Sequence, residues 1–150
     1  MDSFFQLEIL VNVMTAAFLG GIIGWEREAS HISAGLRTHM LIAASAATIV
    51  SLGFVLIGQY ETLLGDAVRG DPVKLFEAIV VGVGFIGGGI IFRDKDNDHV
   101  RNLTTAASIL VTAGIGIAVA LHQFYFATGL TVLVFVINHV LYQVEKKYIR

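Results

Sequence analysis

The chain contains no cysteine and a single proline, Pro72, and only 15 % of its 150 residues are charged. Without cysteine there is no disulfide framework, no thiolate nucleophile and no cysteine-ligated zinc. The charge is nearly balanced, with 10 Lys and Arg against 12 Asp and Glu and a net charge of -2, so the basic surplus that tracks a phosphate backbone is missing. Nucleic acid is excluded as a partner on that ground. The first residues carry Asp2 and Glu8 and no basic stretch, which does not read as a cleaved signal peptide. The five histidines, His31, His39, His99, His122 and His139, show no metal-ligand spacing such as H-E-x-x-H, and no G-x-S-x-G supplies a nucleophile. No catalytic residue and no cofactor are expected.

What the chain has instead is apolar length. Hydrophobic residues make up 55 % of it and the mean hydropathy is +0.75, well outside the soluble norm. Uncharged runs of about 20 residues imply membrane-spanning helices, because a backbone in hydrocarbon must satisfy its own hydrogen bonds. The expected fold is all-α, a polytopic bundle of about five transmembrane helices in one domain over residues 1–150.

The spans fall at about residues 4–25, 35–58, 73–92, 103–121 and 125–142. In the first, Glu8 and Asn12 share a helix face four residues apart, and Glu8 reads as a wet anchor at the boundary. Gly20 and Gly24 form a G-x-x-x-G step suited to close helix contact. Residues 26–34 read as a short polar loop and 59–72 as an extramembrane loop holding the proline. In the third span Glu77, Gly84 and Gly88 share a face, an acid above a glycine groove. Asn102 is a candidate N-cap for the fourth span. Asn138 and His139 in the fifth read as a polar pair meeting a neighbouring helix or snorkelling.

Five spans put the ends on opposite sides of the membrane. Arg27, Arg37, Arg93, Lys95, Arg101, Lys146, Lys147 and Arg150 then lie on one side, and only Arg69 and Lys74 on the other. The basic bias predicts an outside N-terminus and a cytoplasmic C-terminus.

Two patterns invite chemistry. Gly82, Gly84 and Gly87 spell G-x-G-x-x-G, with Gly88 and Gly89 following directly. The strand and helix alternation of a dinucleotide site is absent, and the flanking runs have membrane length. The preferred reading is glycine-lined helix packing against the fourth span. Asp94, Asp96 and Asp98 open like a calcium loop, but His99 stands where that loop needs glycine and Thr105 where it needs glutamate. A solvated loop is preferred there, with a loose Mg²⁺ contact as the alternative. Glu26, Arg27, Glu28, Arg37, His39, Arg93, Arg101 and Thr104 converge at one membrane face. They could brace the bundle, line the mouth of a cation path, or form a docking surface.

Three motifs, GGIIGWERE followed by AGLRTH, VGVGFIGGGIIFRD, and VRNLTTAAS followed by AGIGIA, resemble the MgtC/SapB family of bacterial inner-membrane proteins. The family pattern falls on Glu26, Arg27, Gly35, Leu36, Arg37 and Thr38, on Gly82, Gly84, Gly87 and Gly89, and on Arg101, Leu103, Thr104, Thr105, Ala106 and Ala107. The chain departs from it at Asn102, where the family commonly has glycine, and in a longer charged loop at 95–99. The resemblance implies a bundle of about five helices in a bacterial inner membrane, a cytoplasmic C-terminus and no catalytic activity. It also implies a link to magnesium homeostasis or stress adaptation through contact with membrane partners. A carrier or channel for Mg²⁺ or another cation, with Glu77 or Glu8 on its route, is the alternative. The virulence-type members are regarded as regulators, including inhibitors of the membrane ATP synthase, and carry a soluble C-terminal domain. A chain ending at Arg150 is expected to be the membrane module alone. Candidate partners are the lipid bilayer, other membrane proteins, Mg²⁺ and a second copy of the chain.

Overall fold

The computed structural model describes residues 3–64, 70–93 and 100–148, without the side chains of 64, 93, 141, 142 and 144–148. Five helices follow one another: α1 (Ser3–Ala29), α2 (Leu36–Leu64), α3 (Val73–Ile90), α4 (Leu103–Ala120) and α5 (Phe124–Tyr148). The first four are long and apolar enough to cross a membrane, and the apolar part of α5 covers Phe124–Val140. Antiparallel pairs Phe92 with Arg101 and Arg93 with Val100 make a two-residue β1 (Phe92–Arg93) and β2 (Val100–Arg101) between α3 and α4.

Helix α4 is the centre. It packs against all four other helices, while α3 touches chiefly α4. The shared core joins Ala16, Leu19 and Ile23 of α1, Ala43, Ala46, Ala47 and Val50 of α2, and Ile109, Ala113, Ile115 and Val119 of α4. Its small residues let backbones approach, the usual means of association where lipid tails remove the hydrophobic drive between helices. Gly20, Gly24 and Gly116 carry that approach furthest. A Cβ at Gly20 would stand 2.6 Å from the His39 carbonyl oxygen, one at Gly24 2.7 Å from Leu36 Cα, and one at Gly116 would collide with the Ala43 carbonyl oxygen.

The glycine groove expected on α3 is corrected. Ile79, Val83 and Gly87, at four-residue spacing, make its buried face, and a Cβ at Gly87 would stand 3.4 Å from Ala106 Cβ on α4. Gly82, Gly84, Gly88 and Gly89 are exposed, with nothing within 4 Å of where a Cβ would sit. One helix face meets one neighbour, and a run of five glycines in eight residues wraps past that face.

Two boundaries are corrected as well. The ERE segment is the last turn of α1 rather than loop, and α2 continues to Leu64. Side-chain polarity does not end a helix whose backbone bonds are intact; a left-handed residue does. His31, at φ 55°, closes α1 with Ile32 N–H donating to the Arg27 carbonyl and His31 N–H to that of Glu28, and His122, at φ 58°, ends α4 the same way. The charged residues 94–99 lie outside the described residues.

Candidate polar layer at one end of the bundle

Alternation of the helices brings the C-terminal ends of α1, α3 and α5 to the N-terminal ends of α2 and α4. Glu28, in the last turn of α1, reaches forward and accepts the backbone N–H of Leu36 at 2.8 Å. A carboxylate there satisfies an orphan amide and favours the positive end of the α2 dipole. The same carboxylate crowds Gly35, where a Cβ would lie 2.7 Å from Glu28 Oε2.

Asn102 stands at the start of α4 with φ 67°, in the left-handed region open to glycine and asparagine. Asparagine and the glycine that the family resemblance puts at this position both reach that region. It is not the side-chain N-cap the sequence suggested, since no capping hydrogen bond forms. Its amide instead ties three elements together, Nδ2 donating to the Ile90 carbonyl at 2.9 Å and Oδ1 accepting from Ser33 Oγ at 2.9 Å. Asn102→Gly keeps the backbone and loses both bonds, for an expected cost of about 1 kcal/mol. Asn102→Val adds left-handed strain of about 1–2 kcal/mol; ranking the two melting temperatures in detergent checks this.

Deeper in, α4 presents Thr105, Ser108 and Thr112 at spacings of three and four, all on one buried face. Arg27, 3 % exposed, donates from Nη2 to Thr105 Oγ1 at 2.8 Å, an α1-to-α4 bond across 78 residues. Buried His39 of α2 donates from Nδ1 to the Gly35 carbonyl at 3.0 Å and meets Ser108 Oγ at 3.0 Å through Nε2. A carbonyl can only accept, so Nδ1 carries the proton, and in the neutral ring Ser108 donates to Nε2. Serine and histidine at this distance have the spacing of a nucleophile and its base. Both are closed off by helix packing, leaving no room for a reacting carbonyl. The pair holds α2 to α4.

Among the residues singled out from sequence, Arg27 and Thr105 meet directly, Glu28 meets the start of α2, and Glu26 is buried beside them. Arg37, Arg101 and Thr104 are exposed, and Thr38 is half-buried. The Arg93 side chain lies outside the described residues. Asn12 is buried, while Glu8 is exposed at the opposite end with an oxygen 3.6 Å from His122 Nε2. Glu77 is on the outer surface, paired with Lys74 at 2.8 Å, both side chains more than half exposed. Ser108 is signalled in the sequence only by the period of 105, 108 and 112, and no sequence pattern marks Ser30 or Ser33.

The sequence profile of the MgtC family matches residues 13–147. The chain belongs to the MgtC family. It is 36 % identical over 138 residues to Protein MgtC of Salmonella typhimurium strain LT2, covering 92 % of this chain and 54 % of that protein. It is also 36 % identical over 126 residues to Protein MgtC of Brucella abortus strain 2308, covering 84 % of this chain and 48 % of that one. An uncharacterized protein of Haemophilus influenzae is 36 % identical over 133 residues, 87 % of this chain and 54 % of its own length. The chain spans about half the length of the curated relatives it matches. No solved structure matches it. Family membership and the apolar helices make this a multi-pass membrane protein of the MgtC type.

Proposed function

We propose that this MgtC-family chain is a non-enzymatic membrane module that acts by contact with other membrane proteins, in magnesium homeostasis or stress adaptation. The observation that carries the reading is the outer face of α3. Val81, Phe85 and Gly84 stand on it with Gly82 and Gly88, exposed and unfilled by the chain's own helices. Small residues beside a projecting Phe85 offer another helix both a groove and a knob. Buried Arg27, Thr105, His39 and Ser108, by contrast, are spent on helix-to-helix bonds.

The reading has a bacterial inner membrane as its setting and the outside N-terminus that the basic bias predicts. The link to magnesium rests on the family resemblance. Site-specific crosslinking from Phe85, with and without magnesium starvation, should trap a membrane protein in the starved cells. Recovery of lipid alone in both conditions would overturn the reading. The cation-carrier reading draws no support from Glu77, which sits outside the bundle against Lys74. Glu77→Gln in proteoliposomes is expected to leave Mg²⁺ movement at the protein-free baseline, as wild type does.

A further inference from the structure

A cavity of about 610 Å³ opens between α1 and α5 at the polar end of the bundle, within the range of small-ligand sites. Trp25, Glu26, Ala29 and Ser30 line it from α1, and Phe135, His139 and Gln143 from α5. Glu26 is 6 % exposed. Its Oε1 accepts from Ser30 Oγ at 3.2 Å, and its Oε2 has no hydrogen-bond partner. A buried carboxylate oxygen left bare is costly, which makes Glu26 a group built for a donor that none of the described residues supplies. Arg27 does not fill the role. One residue on, its side chain turns about 100° around the helix and bonds Thr105 of α4.

The rest of the wall says what kind of donor fits. His139 lies flat on Phe135, ring centroids 5.8 Å apart and planes 5° apart. Gln143 Nε2 lies 2.7 Å from His139 Nε2, so these two side chains pair with each other on the cavity wall. One carboxylate among aromatic rings is poor company for a divalent metal, which takes six or more oxygens or keeps its waters. No cluster of three His, Cys, Asp or Glu exists among the described residues. Carboxylate with aromatic faces suits an organic ammonium, which donates hydrogen bonds and is drawn to ring faces. Trp25 is 72 % exposed, and tryptophan is the residue type enriched at the level of the lipid headgroups. Along α5 from the cavity, Val132 and Val136 are exposed and apolar, a track for acyl chains.

We propose that the α1/α5 cavity binds a primary ammonium group through Glu26, supplied by an amine-bearing lipid headgroup or by a free amine. The proposal requires only that the chain sits in a membrane. Glutamate's last torsion is a broad rotor, so the carboxylate turns to present Oε2 without backbone movement.

Trp25 is the chain's only tryptophan and lines the site, so its emission reports occupancy directly. The full chain in phosphatidylglycerol nanodiscs is titrated with phosphatidylethanolamine in one arm, ethanolamine in a second and MgCl₂ in a third. A saturable emission change is expected with phosphatidylethanolamine; the same change with ethanolamine assigns recognition to the free amine as well. Glu26→Gln should weaken the response by about tenfold or more. Ala29→Phe, which fills the cavity and leaves Glu26 in place, should abolish it, so a folding failure of Glu26→Gln does not remove the test. No response to either amine, a response to MgCl₂ alone, or an undiminished response in Ala29→Phe overturns the proposal.

Discussion

Gly24→Ala should destabilise the bundle by about 1–3 kcal/mol, the range for forcing atoms into packed space, whereas Gly82→Ala should stabilise it by about 0.5 kcal/mol. A methyl at Gly24 would meet Leu36 Cα at 2.7 Å, the Gly35 carbonyl oxygen at 2.8 Å and His39 Cβ at 3.0 Å. Two of the three are backbone atoms, which cannot rotate aside. Relief requires α1 and α2 to separate, and separation also stretches the Glu28 bond to Leu36 and pulls on Arg27. At Gly82 the methyl meets nothing within 4 Å, and it removes the conformational entropy that glycine brings to a helix interior. Thermal unfolding in a mild detergent, followed by far-ultraviolet circular dichroism, separates the two. Equal destabilisation at both positions would mean that α3 is covered as tightly as α1.

The glycines of α1 and α3 show what is legible in the sequence. Gly20 with Gly24 and Gly84 with Gly88 spell the same four-residue step, yet only the first pair is filled by another helix. A local pattern records that a backbone can be approached, and the approaching partner comes from tertiary topology. Helix number and order were legible because the apolar runs are long and sharply bounded. Helix ends were not. Glu26, Arg27 and Glu28 look like loop, but each has a destination that keeps the helix running: Ser30, Thr105 and the Leu36 amide. The buried polar face of α4 could be seen as a period in 105, 108 and 112, although nothing in that period says that Arg27 and His39 are its partners. Asn102 was noticed as a departure from the family pattern, and its left-handed φ is one that asparagine and glycine both reach. The cavity lining was out of reach of sequence because α1 and α5 meet across more than a hundred residues.

Thr105→Val, nearly the same shape without the hydroxyl, is expected to cost about 2–3 kcal/mol, while Thr105→Ser costs well under half of that. Arg27 Nε already lacks a partner in the buried layer, so losing Thr105 Oγ1 removes the one side-chain hydrogen bond that Arg27 makes among the described residues and leaves the buried cation with only the charge of neighbouring Glu26. Breaking one side of a buried charged contact costs about 3–5 kcal/mol at the upper end, and a hydrogen bond to a charged group about 1.5–3. Arg27→Met should behave in the opposite way. It deletes the buried charge, fills similar volume, and lets Thr105 turn its hydroxyl to the carbonyl one turn back, so the expected change is near zero or stabilising. A double-mutant cycle on the two positions reads the difference: Thr105→Val should be costly with arginine present and close to neutral with methionine. That asymmetry would mean Arg27 is retained for something other than stability, since an apolar residue would hold α1 to α4 equally well. A cycle in which Arg27→Met is itself as damaging as Thr105→Val would instead make the contact a structural brace.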